Sequence, residues 1–400
     1  MELKPIHPFP ARMAPSIVWN RLPASGRCLR VLDPMAGSGT TVVSARARGH
    51  SAIGYDTDPL AVLIAQAWCG DVDENELRDT AVSVLHEARA VFRNLTQARA
   101  YPLDANSETR EFVRYWFDKT SRGQLAALSA SISHISDTVC RQVLWCALSR
   151  LIITKTAGAS LAMDVSHSRP HRVYEVAPVK PFDKFLSAVD TIIRRLPFRE
   201  GRTHSPRAKV NVGDARKLPL DAGTVDMVIT SPPYLNAIDY LRGHKLSLVW
   251  LGHQVSEIRS LRSGSIGSEV SSNHAQRDGI VKRALARMGD IEDLPARFQG
   301  MLANYVRDMQ LVMSEIRRVL AGSGKVVIVI GDSAIRGVYI RNSNAIACLG
   351  RANGFRVTAR IERSLPDNKR YLPPPTRRIS GKCLQSRMRS EVILTLRPEC

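Results

Sequence analysis

No stretch of this 400-residue chain approaches the ~20 consecutive apolar residues needed to span a bilayer, so an integral membrane protein is not the reading. The opening MELKPIHPFPARMAPSIVW lacks the continuous apolar segment of a signal peptide and is broken by prolines, and nothing in it is expected to direct export. Cysteine is sparse: seven residues, at 28, 69, 140, 146, 348, 383 and 400, an odd number with no CxxC pair. That pattern excludes a disulfide framework and reads as reduced, cytoplasmic thiols. The ten histidines do not fall into close pairs with cysteine or carboxylates at ligand spacing, so no metal is expected. Acidic residues are also short, 37 against 57 lysines and arginines, giving a formal net charge of +20. Such an excess points to a polyanionic partner. No internal repeat is found.

What is present has the rhythm of alternating strands and helices. Cys28–Asp33 is apolar, ends in an acid and runs into Pro34-Met-Ala-Gly-Ser-Gly-Thr-Thr41, after which Val42–Arg48 reads as helix. Ser51–Asp56 is a second short strand ending in an acid, followed by the helical run Leu60–Cys69; together they make a βαβ unit. Further strands are expected at Lys209–Val212, Val225–Ile229, Lys325–Ile330, Phe355–Ile361 and Glu391–Leu396, with an amphipathic helix over Tyr305–Leu320. Seven strands with helices between most of them predict an α/β doubly wound sheet, mainly parallel, with the last two strands paired antiparallel.

Two segments depart from that rhythm. Residues 71–206 carry helical periodicity, with candidate helices at Glu76–Leu95, Thr109–Phe117, Arg122–Ile135 and Thr138–Thr154, and are read as an inserted helical subdomain. His253–Pro295 is rich in Ser, Gly and Arg and is expected to be a long functional loop. The expected division is a main domain over 1–70 and 207–400 and a helical insertion over 71–206.

In Asp33–Thr41, Gly37 and Gly39 let the backbone approach a ligand between a strand and a helix N-terminus. Asp56 ends the next strand about 20 residues on, where an acid bonds ribose hydroxyls. An adenosine-type cofactor is therefore expected. The fuller GxGxxG of dinucleotide folds is absent, since Val42 stands where its third glycine belongs. Asp33 is placed instead to meet a cationic amino-acid tail, which S-adenosylmethionine has and a dinucleotide lacks. A phosphate loop at Gly322-Ser-Gly-Lys325 lacks its upstream glycine, Val319 standing there, and is read as a turn.

The sequence DMVITSPPY, 226–234, ends a strand on two prolines. Pro232 and Pro233 cannot donate to a sheet ladder and force an extended exit, leaving backbone carbonyls without intramolecular partners. With Ser231 before and the Tyr234 ring after, the turn suits a flat amino-bearing ring that is hydrogen-bonded at its edge and stacked on its face. A strand end plugged by a core tyrosine fits the same letters.

Taken together, VLDPMAGSGTT (31–41), AIGYD (52–56), VGDARKLPL (212–220) and TSPPY (230–234) resemble the S-adenosylmethionine-dependent amino-methyltransferases of DNA, whose motifs are DPFxGSGTT-like and [DNS]PP[YFW]. HPFPARMAP (7–15) looks like the cofactor-proximal N-terminal motif of that family. The Ser form of the second motif is the one most associated with the N4 amino group of cytosine. The resemblance covers the expected sheet domain, perhaps half of the chain, and implies a Rossmann-like methyltransferase sheet. It implies that the turn Asp33, Pro34, Ala36, Gly37, Ser38, Gly39 and Thr40 holds S-adenosylmethionine, with Asp56 on its ribose and Asp214 on its adenine. It implies that Ser231, Pro232 and Pro233 orient the target amino group and that Tyr234 stacks on the flipped base. Met35 departs from the family's phenylalanine, a change a compliant side chain absorbs.

Methylation of a ring carbon needs a cysteine nucleophile, and no cysteine sits in a Pro-Cys context near a strand exit, so amino transfer is favoured. The expected substrate is duplex DNA with its target base extruded, with room for a restriction endonuclease as partner. N6-adenine of DNA and an amino group of RNA are the alternatives. Arg242, Lys245, Arg259, Arg262, Lys369, Arg370, Arg377 and Arg378 are candidate phosphate contacts, and 253–300 or 71–206 the candidate recognition segment. His244 and Trp250 are read as structural.

Overall fold

The computed structural model describes residues 3–9, 12–24, 26–167, 170–198, 207–234, 240–267, 279–365 and 390–399. Its main sheet has seven strands: β1 (Arg30–Asp33), β2 (Ser51–Asp56), β3 (Ala208–Val212), β4 (Val225–Thr230), β5 (Leu320–Ile330), β6 (Phe355–Ser364) and β7 (Ser390–Pro398). Their order across the sheet is β3-β2-β1-β4-β5-β7-β6. Pairing is parallel for β2 with β3, β1 with β4 and β4 with β5, and antiparallel for β5 with β7 and β7 with β6. The expected α/β doubly wound, mostly parallel sheet is the observed one, including the antiparallel final pair. Winding runs one way from β1 to β3 and the other way from β4 onward, and right-handed crossovers then place helices on both faces.

Burial explains the composition of each strand. Val31, Leu32, Val228, Ile229 and Val326 to Ile330 are fully buried, the continuous apolar run expected of strands covered on both faces. The edge strand β6, FRVTARIERS, is mostly exposed, and its charged residues discourage further strand pairing. In β5 the register jumps from Val225 opposite Leu320 to Met227 opposite Lys325. The segment Gly322–Lys325, read from sequence as a turn, is therefore a bulge inside a strand. A Cβ on Gly324 would sit 2.6 Å from Leu320 Cγ and 2.8 Å from the Ala321 carbonyl, which keeps glycine there.

Thirteen α-helices lie among the described residues: α1 (Pro15–Trp19), α2 (Thr40–Ala47), α3 (Pro59–Cys69), α4 (Glu74–Arg93), α5 (Ser107–Trp116), α6 (Lys119–Ser133), α7 (Thr138–Ile152), α8 (Pro181–Ile193), α9 (Tyr240–Leu248), α10 (Val255–Gly264), α11 (Gly279–Leu285), α12 (Ala296–Val319) and α13 (Asn342–Ala352). Five begin on a capping Asp or Asn whose side chain accepts backbone N–H groups: Asp58 before α3, Asp73 before α4, Asn106 before α5, Asp118 before α6 and Asp137 before α7. Helices α4, α6, α7 and α8 pack together between β2 and β3 in the sequence.

Two expectations about helices need revision. Helix α8 was absent from the sequence reading, although Pro181 opens it and Phe182, Phe185, Val189, Ile192 and Ile193 form its buried stripe. The segment expected as a loop, 253–295, holds α10, α11 and a 3₁₀ turn at Ile291–Asp293, with 268–278 outside the described residues. These helices are short, and each buries only a pair such as Val255 and Ile258 or Val281 and Ala284, too little apolar periodicity to rise above a Ser/Gly/Arg background.

The contacts group the chain into two compact units, one of Met1–Gly26, Ala36–Val212 and Ile238–Arg262, the other of Arg27–Met35, Gly213–Ala237 and Ser263–Cys400. In the first, the N-terminal segment is tied down by Arg150 donating to the Ile6 carbonyl at 2.6 Å and Arg195 to the Pro5 carbonyl at 2.9 Å. His7 Nε2 meets Ser149 Oγ at 2.9 Å, and burial, with Arg150 adding to it, drives the His7 ring well below the usual histidine range. In the second, α13 packs on β6 and β7, and α11, α12 and α13 contact one another. Among the described residues no helix is long and apolar enough to cross a membrane.

Candidate functional site

The winding of the sheet reverses between β1 and β4, and in open α/β sheets ligands collect beyond the carboxyl ends of the strands at such a reversal. Both strands end there on a polar side chain. Thr230, the last residue of β4, donates from Oγ1 to Asp33 Oδ1 of β1 at 2.7 Å, and the Met35 N–H reaches the same oxygen at 3.2 Å. Asp33 is 3% and Thr230 0% exposed, so a carboxylate is held in the interior at the origin of both sequence motifs. Sequence reasoning singled out Asp33 but passed over Thr230, which reads as one more β-branched strand residue.

The glycine turn belongs to the first unit. Gly37 has φ +50° and donates its N–H to Asp56 Oδ2 at 2.8 Å. Asp56 Oδ1 accepts the Asp58 N–H at 2.9 Å, so one acid at the end of β2 organises both the turn and the entry to α3. A Cβ on Gly37 would lie 3.5 Å from Phe9 Cε1, which puts the aromatic ring of the HPFPARMAP segment beside the turn. Gly39 has φ +89°, and a Cβ there would fall 2.7 Å from the Ala65 Cβ of α3, so both backbone twist and helix packing require glycine. Ala36 donates to the Tyr55 carbonyl at 2.8 Å. Pro34, Ala36, Ser38 and Thr40 are buried, and the Ser38 hydroxyl has no hydrogen-bond partner among the described residues.

Asp58 also fixes α9. Its Oδ1 caps α3 through the Leu60 N–H at 2.9 Å, and its Oδ2 lies 2.5 Å from His244 Nδ1. The Phe9 ring sits 5.3 Å from the His244 ring and 5.7 Å from the Tyr240 ring, centroid to centroid. His244 is 1% exposed, which suits the structural role read from sequence. Trp250 is likewise buried, edge-on to Phe117 at 5.2 Å.

The remaining predicted residues belong to the second unit. Ser231, Pro232, Pro233 and Tyr234 follow β4 without regular secondary structure, and 235–239 lie outside the described residues. Pro232 is buried while Ser231, Pro233 and Tyr234 are half-buried, and the Ser231 hydroxyl lies 3.4 Å from the Tyr234 hydroxyl. Tyr305 of α12 is 2% exposed and its hydroxyl has no hydrogen-bond partner among the described residues. Burial, reinforced by the Tyr234 hydroxyl near it, pushes the Tyr305 phenol up, so it stays neutral.

Asp214 is held by Arg216. The Arg216 backbone N–H donates to Asp214 Oδ1 at 2.9 Å, and its guanidinium reaches both carboxylate oxygens, the shortest contact being 2.7 Å. The same guanidinium bonds Asp308 Oδ1 at 3.0 Å and the Gly264 carbonyl at 2.7 Å, while Asp308 Oδ2 accepts the Gly267 N–H at 3.0 Å. Burial pushes the Asp214 carboxyl up, but the bonds and charge of Arg216 outweigh it and hold the group below the usual carboxylate range. Sequence reasoning found Asp214 and missed Arg216 and Asp308, which are separated by most of a hundred residues and share no motif.

Of the expected phosphate contacts, Arg259 pairs with Glu108 and Lys245 lies over the Phe112 ring at 4.7 Å. Arg242 and Arg262 are exposed, and Lys369, Arg370, Arg377 and Arg378 lie outside the described residues. Among the described residues no group of three or more His, Cys, Asp or Glu side chains is arranged to hold a metal ion.

The fold and the two strand-end motifs thus define a doubly wound α/β protein with a glycine turn and a proline-stiffened exit on adjacent strands. No family model matches the chain. It is similar to the type II methyltransferase M.BsoBI of Geobacillus stearothermophilus, 25% identical over 272 residues that cover 60% of this chain and 51% of that protein. It is also similar to the type II methyltransferase M.MvaI of Kocuria varians, 22% identical over 425 aligned positions, 98% of this chain and 90% of that protein. The chain therefore spans about half the length of the first relative and most of the second. A solved S-adenosylmethionine-dependent methyltransferase from Methanosarcina mazei overlaps 96% of this chain and 97% of its own at 8% identity and a TM-score of 0.34. The fold assignment rests on the strand order rather than on that overlap.

Gly39→Ala is expected to lower stability by about 1–3 kcal/mol through the positive φ and the Ala65 contact, measured as a shift in chemical unfolding. Asp214 has a lowered folded pKa, so its contribution is fully present above the unfolded carboxylate range and is lost as pH falls through the folded value. Arg216→Ala is expected to flatten that acid limb. Denaturation midpoints across the acid range, compared between wild type and variant, read the difference.

Proposed function

We propose that this protein is an S-adenosylmethionine-dependent DNA methyltransferase acting on the exocyclic N4 amino group of cytosine. The observation that carries the reading is the bond between Thr230 and Asp33, which joins the strand leading to the glycine turn to the strand leading to Ser231–Tyr234. Similarity to two type II methyltransferases, over 60% and 98% of the chain, supports the same class. Residues 1–70 and 207–400 are the catalytic domain in this reading. The helical segment 71–206 and the segment 253–300 are its DNA-contacting parts.

The residues of the turn fit the cofactor. The buried Ser38 hydroxyl lacks a partner among the described residues, Gly37 and Gly39 supply the positive φ that the turn needs, and Asp33 and Asp56 supply acids for an ammonium and for ribose hydroxyls. Pro34, Ala36 and Thr40 form the wall of that turn. Asp214, already bonded to Arg216, has acceptor capacity left for an adenine amino group. When bound, S-adenosylmethionine supplies an electrophilic methyl group.

The chain's own task is to make a poor nucleophile reactive. An exocyclic amino nitrogen delocalises its lone pair into the ring. The Pro232 carbonyl and the Ser231 hydroxyl accept its two hydrogens, which localises that pair on nitrogen. Pro233 keeps the carbonyl aimed by stiffening the exit. The neutral Ser231 orients through a hydroxyl acceptor where an aspartate would bring full charge. Extruding the base costs a few kcal/mol, and stacking on Tyr234 returns ~1–3 kcal/mol. Phosphate contacts by the basic surplus supply the remaining affinity, which falls with salt. In the cell, modification of this kind would protect sites from a partner restriction endonuclease.

The test is incubation with isotope-labelled methyl donor and either genomic DNA or RNA, followed by mass spectrometry of the nucleosides. N4-methylcytosine in DNA is the expected product. N6-methyladenine would overturn the base, a methylated RNA nucleoside the substrate, and no labelled nucleoside the enzyme. Ser231→Ala and Tyr234→Ala are expected to slow transfer by about 100-fold or more with cofactor affinity nearly unchanged. Asp56→Ala is expected to weaken cofactor binding by about tenfold.

A further inference from the structure

We propose that a cavity between α11, α13 and β6, lined by none of the residues of the glycine turn or the proline exit, is a phosphate-binding site built from Arg283, Arg287, Arg351 and Arg360. The cavity has a volume of about 520 Å³, inside the range of small-ligand sites. Arg283 and Arg287 are one helical turn apart, on α11 and the turn that follows it. Asn344, Cys348 and Arg351 line one face of α13 at i, i+4 and i+7, and Arg360 enters from β6.

Charge balance singles out this cavity. Four arginines line it, and no acidic residue does among the described residues. Arg360 is fixed by neutral partners, donating to Asn344 Oδ1 at 2.9 Å and to Ser343 Oγ at 2.7 Å. No side-chain hydrogen bond or ion pair engages Arg283, Arg287 or Arg351 among the described residues. Several other arginines are each matched by a carboxylate: Arg46 with Asp71, Arg216 with Asp214 and Asp308, Arg318 with Glu315, Arg363 with Glu391. All four side chains are exposed, so water and salt screen part of their mutual repulsion, and an anion of more than one charge would relieve the rest.

The chemistry of the donors identifies that anion. Guanidinium presents a planar fork that matches two oxygens of a phosphate, whereas scattered lysines would give only point charges. Arg351 lies in the last turn of α13, where a cation also complements the helix dipole, but that accounts for one of the four. Asn344, whose oxygen is engaged by Arg360, retains its amide donors for a further oxygen. The cavity is roomy enough for a phosphate with its attached sugar. Assigning that phosphate to a nucleic-acid backbone rests on the methyltransferase reading; the site itself does not. On that reading it is a second, sequence-independent grip on DNA.

Cys348 provides a local reporter, because it lines the cavity as a partly exposed free thiol while Cys28 is an exposed thiol outside it. The experiment measures alkylation of each cysteine by iodoacetamide, by peptide mass spectrometry on the full-length protein, without methyl donor. The two probes are inorganic pyrophosphate and a short duplex of random sequence. The expected result is that a bound phosphate slows Cys348 alkylation by about fivefold or more with the Cys28 rate unchanged. Protection is expected to vanish in the Arg283→Ala/Arg287→Ala/Arg351→Ala variant, whose unfolding midpoint should match wild type. Protection by the duplex, weakening with salt, upholds the DNA grip. Protection by pyrophosphate alone upholds a phosphate site and overturns its assignment to DNA. No protection of wild-type Cys348 by either probe overturns the proposal. Since no methyl transfer is read, failure here is distinct from failure of the methyltransferase reading.

Discussion

A hydrogen bond of 2.7 Å from Thr230 to Asp33, buried where two parallel strands end, is the constraint from which the rest follows. A carboxylate in the interior is tolerated only when its oxygens are satisfied, and here Thr230 and the Met35 N–H share one of them. Satisfying it fixes the end of β4 against the end of β1. One residue beyond each end begins a segment that regular structure cannot use: a turn that needs glycines on one side, two prolines on the other. Removing the threonine hydroxyl would leave a buried acceptor short of a donor, which costs more than the bond itself contributes.

Acids carry the same work along the carboxyl ends of the first three strands. Asp33 ends β1, Asp56 ends β2, and Asp214 follows β3 by two residues. Each holds backbone as well as offering charge: Asp33 the Met35 N–H, Asp56 the Gly37 and Asp58 N–H groups, Asp214 the Arg216 N–H. A side chain that builds its own loop is preorganised before any ligand arrives, so little ordering remains for binding to supply. The arginine-lined cavity is the reverse case, with charge gathered and left without a counter-charge among the described residues.

Much of this was legible in the letters. Strands β1 to β7 were located because central strands buried on both faces must be apolar throughout, and because the Gly, Pro and Asp that end them are chosen by backbone geometry. Asp33, Gly37, Gly39, Asp56 and Ser231–Tyr234 stood out for the same reason: each is a residue type that local chemistry demands. Thr230 did not, because in sequence a threonine at a strand end is only a good β-former. Arg216 and Asp308 are distant in the chain and meet only in the fold, where α12 carries Asp308 to the segment that follows β3. Gly322–Lys325 imitated a turn because a bulge within a strand has the same local composition. The four arginines of the cavity come from three elements, and no spacing in the chain announces them.

Asp33 and Thr230 are expected to act as one unit in shaping the proposed cofactor site. That coupling is tested most directly by a double-mutant cycle, with equilibrium affinity for S-adenosylmethionine measured in wild type, Asp33→Asn, Thr230→Val and the double variant. Both single changes are expected to weaken binding, and the double change to be non-additive by about 0.5 kcal/mol or more. Affinity unchanged in all three variants, or losses that simply add, would contradict it.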